Sequence, residues 1–206
     1  LHQVTRADRA TSIALGLMIA GLMAKAALFP LHLWLPPAHA GAPAPASAVL
    51  SALVVKAPFF LILRLWFDVA PQPQPAIAGT MLAALGAASI LVCSVLALRQ
   101  ARLKLMIAYS TVAQVGYLFL VFPLVMGSEA AVPWASIGWT GGVLQLVSHA
   151  FAKASMFLAA GLIAEAMGHD RIDDLGGAAQ AVPISVAAFA LAGLSLMGLP
   201  PAGGFV

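Results

Sequence analysis

Apolar residues fill long, unbroken stretches of this chain instead of alternating with polar ones. Six stretches stand out, at 11–29, 46–67, 76–98, 104–126, 139–167 and 182–198. A helix that crosses a bilayer needs about 20 apolar residues, within a range of about 17–25. The pattern therefore predicts an all-α integral membrane protein with about six transmembrane helices. A seventh apolar piece, at 31–40, is too short to span. Pro71, Pro73 and Pro75 mark one loop, and Arg99, Arg102 and Lys104 mark a basic one. Gly127 to Pro133 reads as a turn, with Trp134 and Trp139 placed like an interfacial belt. His169 to Asp174, followed by Gly176 and Gly177, is the most polar loop.

Prolines interrupt the first and last apolar stretches. Lys25 to Pro30 ends the first helix and Leu35-Pro-Pro-Ala38 follows; Leu199-Pro-Pro-Ala202 recurs near the other end. Proline removes a backbone donor and clashes with the preceding turn. Within a bilayer, the freed carbonyls need partners from protein or from a water-filled cavity. Two such interruptions in corresponding positions suggest the broken helices of a repeat-built transporter, near 25–38 and 198–206. If helices alternate, the loops near 30–45, 99–104 and 168–181 share one side. That side carries Arg99, Arg102, Lys104 and Arg171, whereas the other has Arg6 and Arg9, with Arg64 near a helix end. The bias favours placing the 99–104 loop in the cytoplasm.

Composition narrows the classes further. Of the 206 residues, 62% are hydrophobic and 8% charged, against about 45–50% and about 25% in soluble domains. That excludes a soluble enzyme and a disordered tail. Ten Lys/Arg against seven Asp/Glu give a net charge of +3. The basic residues are too scattered for nucleic-acid binding. Cys93, the one cysteine, lies in an apolar run and reads as a small buried hydrophobe. The chain opens on Leu1 and stops at Val206 in apolar sequence, so we expect an internal piece of a longer membrane protein.

Three lysines sit inside apolar runs: Lys25, Lys56 and Lys153. Each costs about 2.5–3.5 kcal/mol at a helix centre. A lysine near a helix end can instead snorkel to the interface, which suits Lys25 best. His149 and Lys153 are i and i+4, and Gln145 lies one turn earlier on the same face. Amide, imidazole and amine in line suit a hydrated proton path. One His with Gln and Lys makes no metal-ligand set. Burial disfavours an amine's charged form, and a second charge about 10 Å away adds roughly 1.7 kcal/mol at an effective dielectric near 20. A row of such lysines can load and release protons near neutral pH.

Other polar residues have plainer readings. Pro58, just past Lys56, should loosen its helix and open carbonyls to water. Arg64, Asp68 and Glu165 read as interfacial charges or ion-pair partners, with Glu165 a possible accessory to the path. His32 and His39 lie in the proline-rich stretch, as loop polarity or as part of a gate. Tyr109, Ser110, Thr111, Gln114 and Tyr117 form a polar patch that serves as helix–helix glue or as a wetted wall. No nucleophile–base pair, phosphate loop or cofactor motif is present, so we expect no catalytic residues and no cofactor.

Several stretches in order carry a resemblance. They are Lys25 to Ala44 leading into Ser51 to Arg64, then Leu103 to Leu120, Leu144 to Gly161, and Gly198 to Phe205. Together they resemble the antiporter-like subunits of respiratory complex I, a family that includes Mrp-type cation/proton antiporters and the membrane arms of energy-converting hydrogenases. The resemblance implies two inverted five-helix repeats, each with one broken helix. It divides the chain into the second part of a first repeat, 1–70, and most of a second, 76–206. It makes Lys25 the broken-helix lysine beside a central axis, Lys56 the bridging lysine, and His149 with Lys153 the relay of the second repeat. Gln145 stands where some members carry a second histidine. A glutamate that pairs with the Lys25 equivalent and a terminal Lys or Glu are expected outside this chain.

The function expected is proton translocation along Lys25, Lys56, His149 and Lys153, driven by redox chemistry in partner subunits. The partners expected are other membrane subunits, the lipid bilayer and protons. The membrane expected is an energy-transducing one, the bacterial inner membrane. The alternatives are an Mrp-type Na+/H+ antiporter subunit and a non-conducting structural subunit.

Overall fold

The structure is a computed structural model and describes residues 9–70, 75–125 and 132–200. The chain is all-helical where described. Helix α1 is Arg9–Lys25, α2 is Leu35–Gly41 and α3 is Ala44–Val69. Helix α4 is Ala76–Leu98, α5 is Leu103–Val125 and α6 is Val132–Met167. After a short 3-10 turn at Ile172–Asp174 come α7, Ala178–Ala181, and α8, Pro183–Leu196.

Among the described residues four helices, α3 to α6, are long and apolar enough to cross a membrane. The other two expected spans are shorter, with 17 residues in α1 and 14 in α8. Both stop at a break. Ala27 takes a left-handed conformation at φ 57, and Gly198 does the same at φ 71. At the first break Leu28 N–H bonds Met23 O and Ala27 N–H bonds Ala24 O; at the second, Leu199 N–H bonds Leu194 O and Gly198 N–H bonds Ser195 O. Both are the same C-terminal cap, in which a left-handed residue lets the chain turn back on the last carbonyls. The Ala24 carbonyl, which already accepts the Ala27 N–H, also accepts the Trp34 indole N–H at 2.9 Å. Freed carbonyls at the first break are thus met by protein, as an apolar surrounding requires.

Other expectations fall partly outside the described residues. These are Arg6, the prolines 71 and 73, the first residues of the Gly127 to Pro133 turn, and the second break beyond Pro200. Val132 and Pro133 already open α6. That helix has 36 residues, about 54 Å at 1.5 Å per residue, and so outruns a hydrocarbon layer of about 30 Å.

Three loops expected on one side do meet there. Leu103 N–H bonds Asp170 O at 2.8 Å, and Ile172 N–H bonds Ala101 O at 2.9 Å. Arg102 pairs with Asp170 at 2.9 Å, and the Lys104 amine donates to Ala42 O at 3.1 Å. The 30–45, 99–104 and 168–181 segments are tied together through these contacts.

Helices α4 and α5 pack backbone to backbone. A methyl group on Gly116 would lie 2.4 Å from Gly86 O, and one on Gly86 would lie 2.6 Å from Gly116 O. Only glycine allows that approach, the common device where helices must associate without a hydrophobic drive. Ser89 Oγ then reaches Val112 O at 3.1 Å. Cys93, one turn on, is buried and free. A cluster of rings (Phe59, Trp66, Phe119 and Phe122) fills the space between α3 and α5. A second apolar cluster joins α5, α6 and α8 through Ile107, Phe157, Ile163 and Ala192.

Candidate functional site

Helix α3 departs from α geometry just before Lys56. Residues Leu50–Val54 form a π turn, so Val55 N–H bonds Leu50 O at 3.3 Å rather than the carbonyl one residue later. The Ser51 carbonyl is released from that partner and accepts the Lys56 amine at 2.6 Å. Pro58 lacks an N–H and removes the next partner, that of Val54 O. The loosening expected at Pro58 is therefore found one turn earlier, where the wider turn accommodates it. π turns inside helices often mark functional positions. Lys56 itself is 4% exposed.

Lys153 enters from α6 and is fully buried. Its amine donates to Ile107 O at 3.3 Å and to Ser110 Oγ, both on α5. Ser110 Oγ and Thr111 Oγ1 each donate to the same Ile107 carbonyl at 2.9 Å. Thr111 Oγ1 lies 3.0 Å from Ser51 Oγ, on α3. Polar groups from α3, α5 and α6 thus converge in one buried strip that runs from Lys56 to Lys153. The two amines carry like charge when protonated, and like charges repel. Among the described residues neither lysine has a carboxylate within ion-pair distance.

Three imidazoles are buried, two of them beside Lys153. His149 is fully buried one turn before Lys153, and neither ring nitrogen meets a hydrogen-bonding protein group. His39 of α2 is likewise buried, stacked on Phe157 at 4.4 Å, and close enough to Lys153 and Lys104 to feel their charge. His32 is buried against Phe29 and Tyr109, beside the Pro30 backbone. Buried polar groups are nearly always satisfied, so His149 and His39, both near Lys153, are unusual.

The other candidates lie apart. Lys25 is exposed, in the last turn of α1, and does not join the buried strip. Gln145 does lie on the His149–Lys153 face, but its amide donates to Gln114 Oε1 at 2.7 Å, and Gln114 in turn reaches Leu196 O at 3.4 Å. These groups line a cavity of about 450 Å³ with Tyr117, Met197 and Gly198, beside the second break. Glu165 is exposed near the end of α6. Arg64 and Asp68 form a surface ion pair at 2.8 Å. The polar patch of α5 is split: Thr111 is buried in the strip, Gln114 faces the cavity, and Tyr117 is exposed. A separate apolar groove of about 830 Å³ runs between α3 and α6, with Lys56 as the charged residue on its wall.

Ser51 is the residue that the hydrophobic pattern does not single out. Its signal is faint: a small hydroxyl residue five positions before Lys56 and one turn after Ser47. Among the described residues no group of His, Cys, Asp and Glu is arranged to hold a metal ion.

Comparison with known proteins fits this architecture. NADH-quinone oxidoreductase subunit N of Desulforudis audaxviator is 38% identical over 195 residues, 94% of this chain and 37% of that one. Hydrogenase-4 component B of Escherichia coli is 35% identical over 189 residues, 90% of this chain and 28% of that one. The Mrp complex of Dietzia sp. contains a chain that superposes with a TM-score of 0.83 at 31% identity, over 97% of this chain and 35% of that one. An archaeal membrane-bound sulfane sulfur reductase gives 0.77 at 31% identity, over 91% of this chain and 37% of that one. The chain thus spans between 28% and 37% of the length of these relatives. Residues 1–206 match throughout the family described as NADH:quinone oxidoreductase/Mrp antiporter, TM. This chain belongs to that family, as a membrane-embedded, antiporter-like segment.

Proposed function

We propose that this segment carries protons across part of an energy-transducing membrane, along an axis that includes Lys56, His149 and Lys153. One observation carries the reading. Two lysine amines and an imidazole are buried together with no carboxylate within ion-pair distance among the described residues. Such an arrangement is costly for stability and suited to groups that change protonation in turn. Each protonation disfavours the next by repulsion, which drives protons onward. His39 and His32 extend the same buried region toward the loops around Ala42 and Lys104. Lys25 belongs to the path through the first break, where the remainder of a longer protein supplies its surroundings. The matching caps at Ala27 and Gly198 support two repeats, 1–70 and 76–206. The Arg99–Lys104 loop faces the cytoplasm.

Redox chemistry belongs to partner subunits of a multisubunit membrane complex, since the relatives named above are components of such complexes. The test is proton pumping by the complete complex in vesicles, wild type against Lys56→Met, with assembly followed on a native gel. An assembled variant that loses pumping or coupled turnover supports the axis. One that pumps normally removes Lys56 from it and favours a structural subunit. A second reading, cation/proton antiport, draws support from the likeness to the Mrp complex. Dependence of transport on sodium separates the two.

A further inference from the structure

The two buried lysines are joined by hydroxyl groups whose hydrogens have few places to go. Thr111 has one hydroxyl hydrogen, and it is directed to Ile107 O at 2.9 Å. With it there, Ser51 donates to Thr111 across the 3.0 Å gap between α3 and α5; with it turned, Thr111 donates to Ser51. Ile107 O also receives Ser110 Oγ at 2.9 Å and the Lys153 amine at 3.3 Å. A carbonyl oxygen has two lone pairs, so three side-chain donors compete for it. An ammonium is the strongest of them. Thr111 has an alternative acceptor on another helix, Ser51 Oγ, while the Lys153 amine keeps Ser110 Oγ as a second partner.

We propose that the Ser51–Thr111 hydroxyl pair is a positioning link that couples the two lysines. With Lys153 charged, its ammonium claims Ile107 O and Thr111 turns to donate to Ser51. With Lys153 neutral, Thr111 returns to Ile107 O and Ser51 donates to it. The reversal turns the hydroxyl dipole of the residue whose carbonyl holds Lys56 at 2.6 Å. No bond other than a hydrogen bond is made or broken. The charged or titratable groups around this link are Lys56 on α3, His39 on α2, Lys104 and Tyr109 on α5, and His149 and Lys153 on α6. Helix α8 contributes none.

This link rests on the proton-path reading, and the test separates the two. Proton uptake is measured in vesicles that hold the complete complex, between pH 6 and 9, for Thr111→Val, Thr111→Ser, Ser51→Ala and the Ser51→Ala/Thr111→Val pair. The expected loss for Thr111→Val is about fivefold, the size one hydrogen bond carries, with a displaced pH profile. Thr111→Ser restores rate and profile, and the double variant is no slower than Thr111→Val. Wild-type rate and profile in Thr111→Val overturn the link, as does a Thr111→Ser that stays slow. If Thr111→Val fails to assemble, Ser51→Ala carries the same test, because it removes only the hydroxyl. Loss of uptake in Lys56→Met beside normal uptake in Thr111→Val rejects the link alone. Normal uptake in Lys56→Met rejects the underlying path as well.

Discussion

Replacing Gly116 by alanine tests how the helix pair beneath the site is held. The added methyl would sit 2.4 Å from Gly86 O, 3.0 Å from Ile90 Cγ1 and 3.1 Å from Ser89 Cβ, where ordinary contact begins at 3.4 Å. The nearest obstacle is backbone, which cannot swing aside. Helices α4 and α5 must part by about 1 Å to reach ordinary contact. That takes Ser89 Oγ, now 3.1 Å from Val112 O, beyond hydrogen-bond reach. Overpacking costs about 1–3 kcal/mol, and a lost buried hydrogen bond adds about 0.5–1.5 kcal/mol. The expected destabilisation is about 2–4 kcal/mol. Cys93, buried on α4 one turn past Ser89, gives the readout. In the complete subunit with other cysteines removed, Gly116→Ala should speed labelling of Cys93 by a thiol reagent and lower the melting temperature. Gly141→Ala, which meets nothing within 4 Å, serves as the control. If Gly116→Ala melts with the wild type and Cys93 stays protected, the close backbone contact is not what holds α4 to α5.

Three further outcomes follow from the breaks and the cavity. Ala27 holds a left-handed conformation at φ 57, a conformation that costs an L-residue roughly 1–2 kcal/mol. Ala27→Gly should slow amide exchange at Leu28, and Ala27→Val should accelerate it; equal exchange in both would discount the cap. Trp34→Phe keeps the ring but removes the donor to Ala24 O, and should raise proteolysis between residues 25 and 35 through loss of about 1 kcal/mol. Unchanged cleavage would show that the indole contributes nothing there. Gln114→Leu leaves the Gln145 amide without its 2.7 Å acceptor. It should destabilise the α5–α6 contact by about 1–3 kcal/mol, read as an earlier melt, and Gln114→Glu should recover most of it.

Length and hydrophobicity alone determined the helical, membrane-embedded class. The apolar stretches at 76–98 and 104–126 coincide with α4 and α5, because in a bilayer an exposed backbone has no partner outside the helix. Proline marked the breaks for a similar reason, whereas the left-handed turn at Ala27 emerged only from the structure. Lys56, His149 and Lys153 were visible as well, since an ionisable residue inside an apolar run costs too much to pass unnoticed. What the chain did not disclose is which of these lie together. Lys25 satisfies the same sequence criterion as Lys56 yet is exposed at the end of α1. Ser51, Lys153 and the Ile107 carbonyl come from separate helices, and they form one strip with Thr111 only because α3 and α6 both pack on α5. A serine is cheap to place in an apolar helix and therefore leaves little trace in a hydrophobic pattern. Its role depends on the π turn before Lys56 and on the hydroxyl 3.0 Å away on another helix. Hydrogen bonds between helices depend on distance in space, and tertiary packing alone decides it.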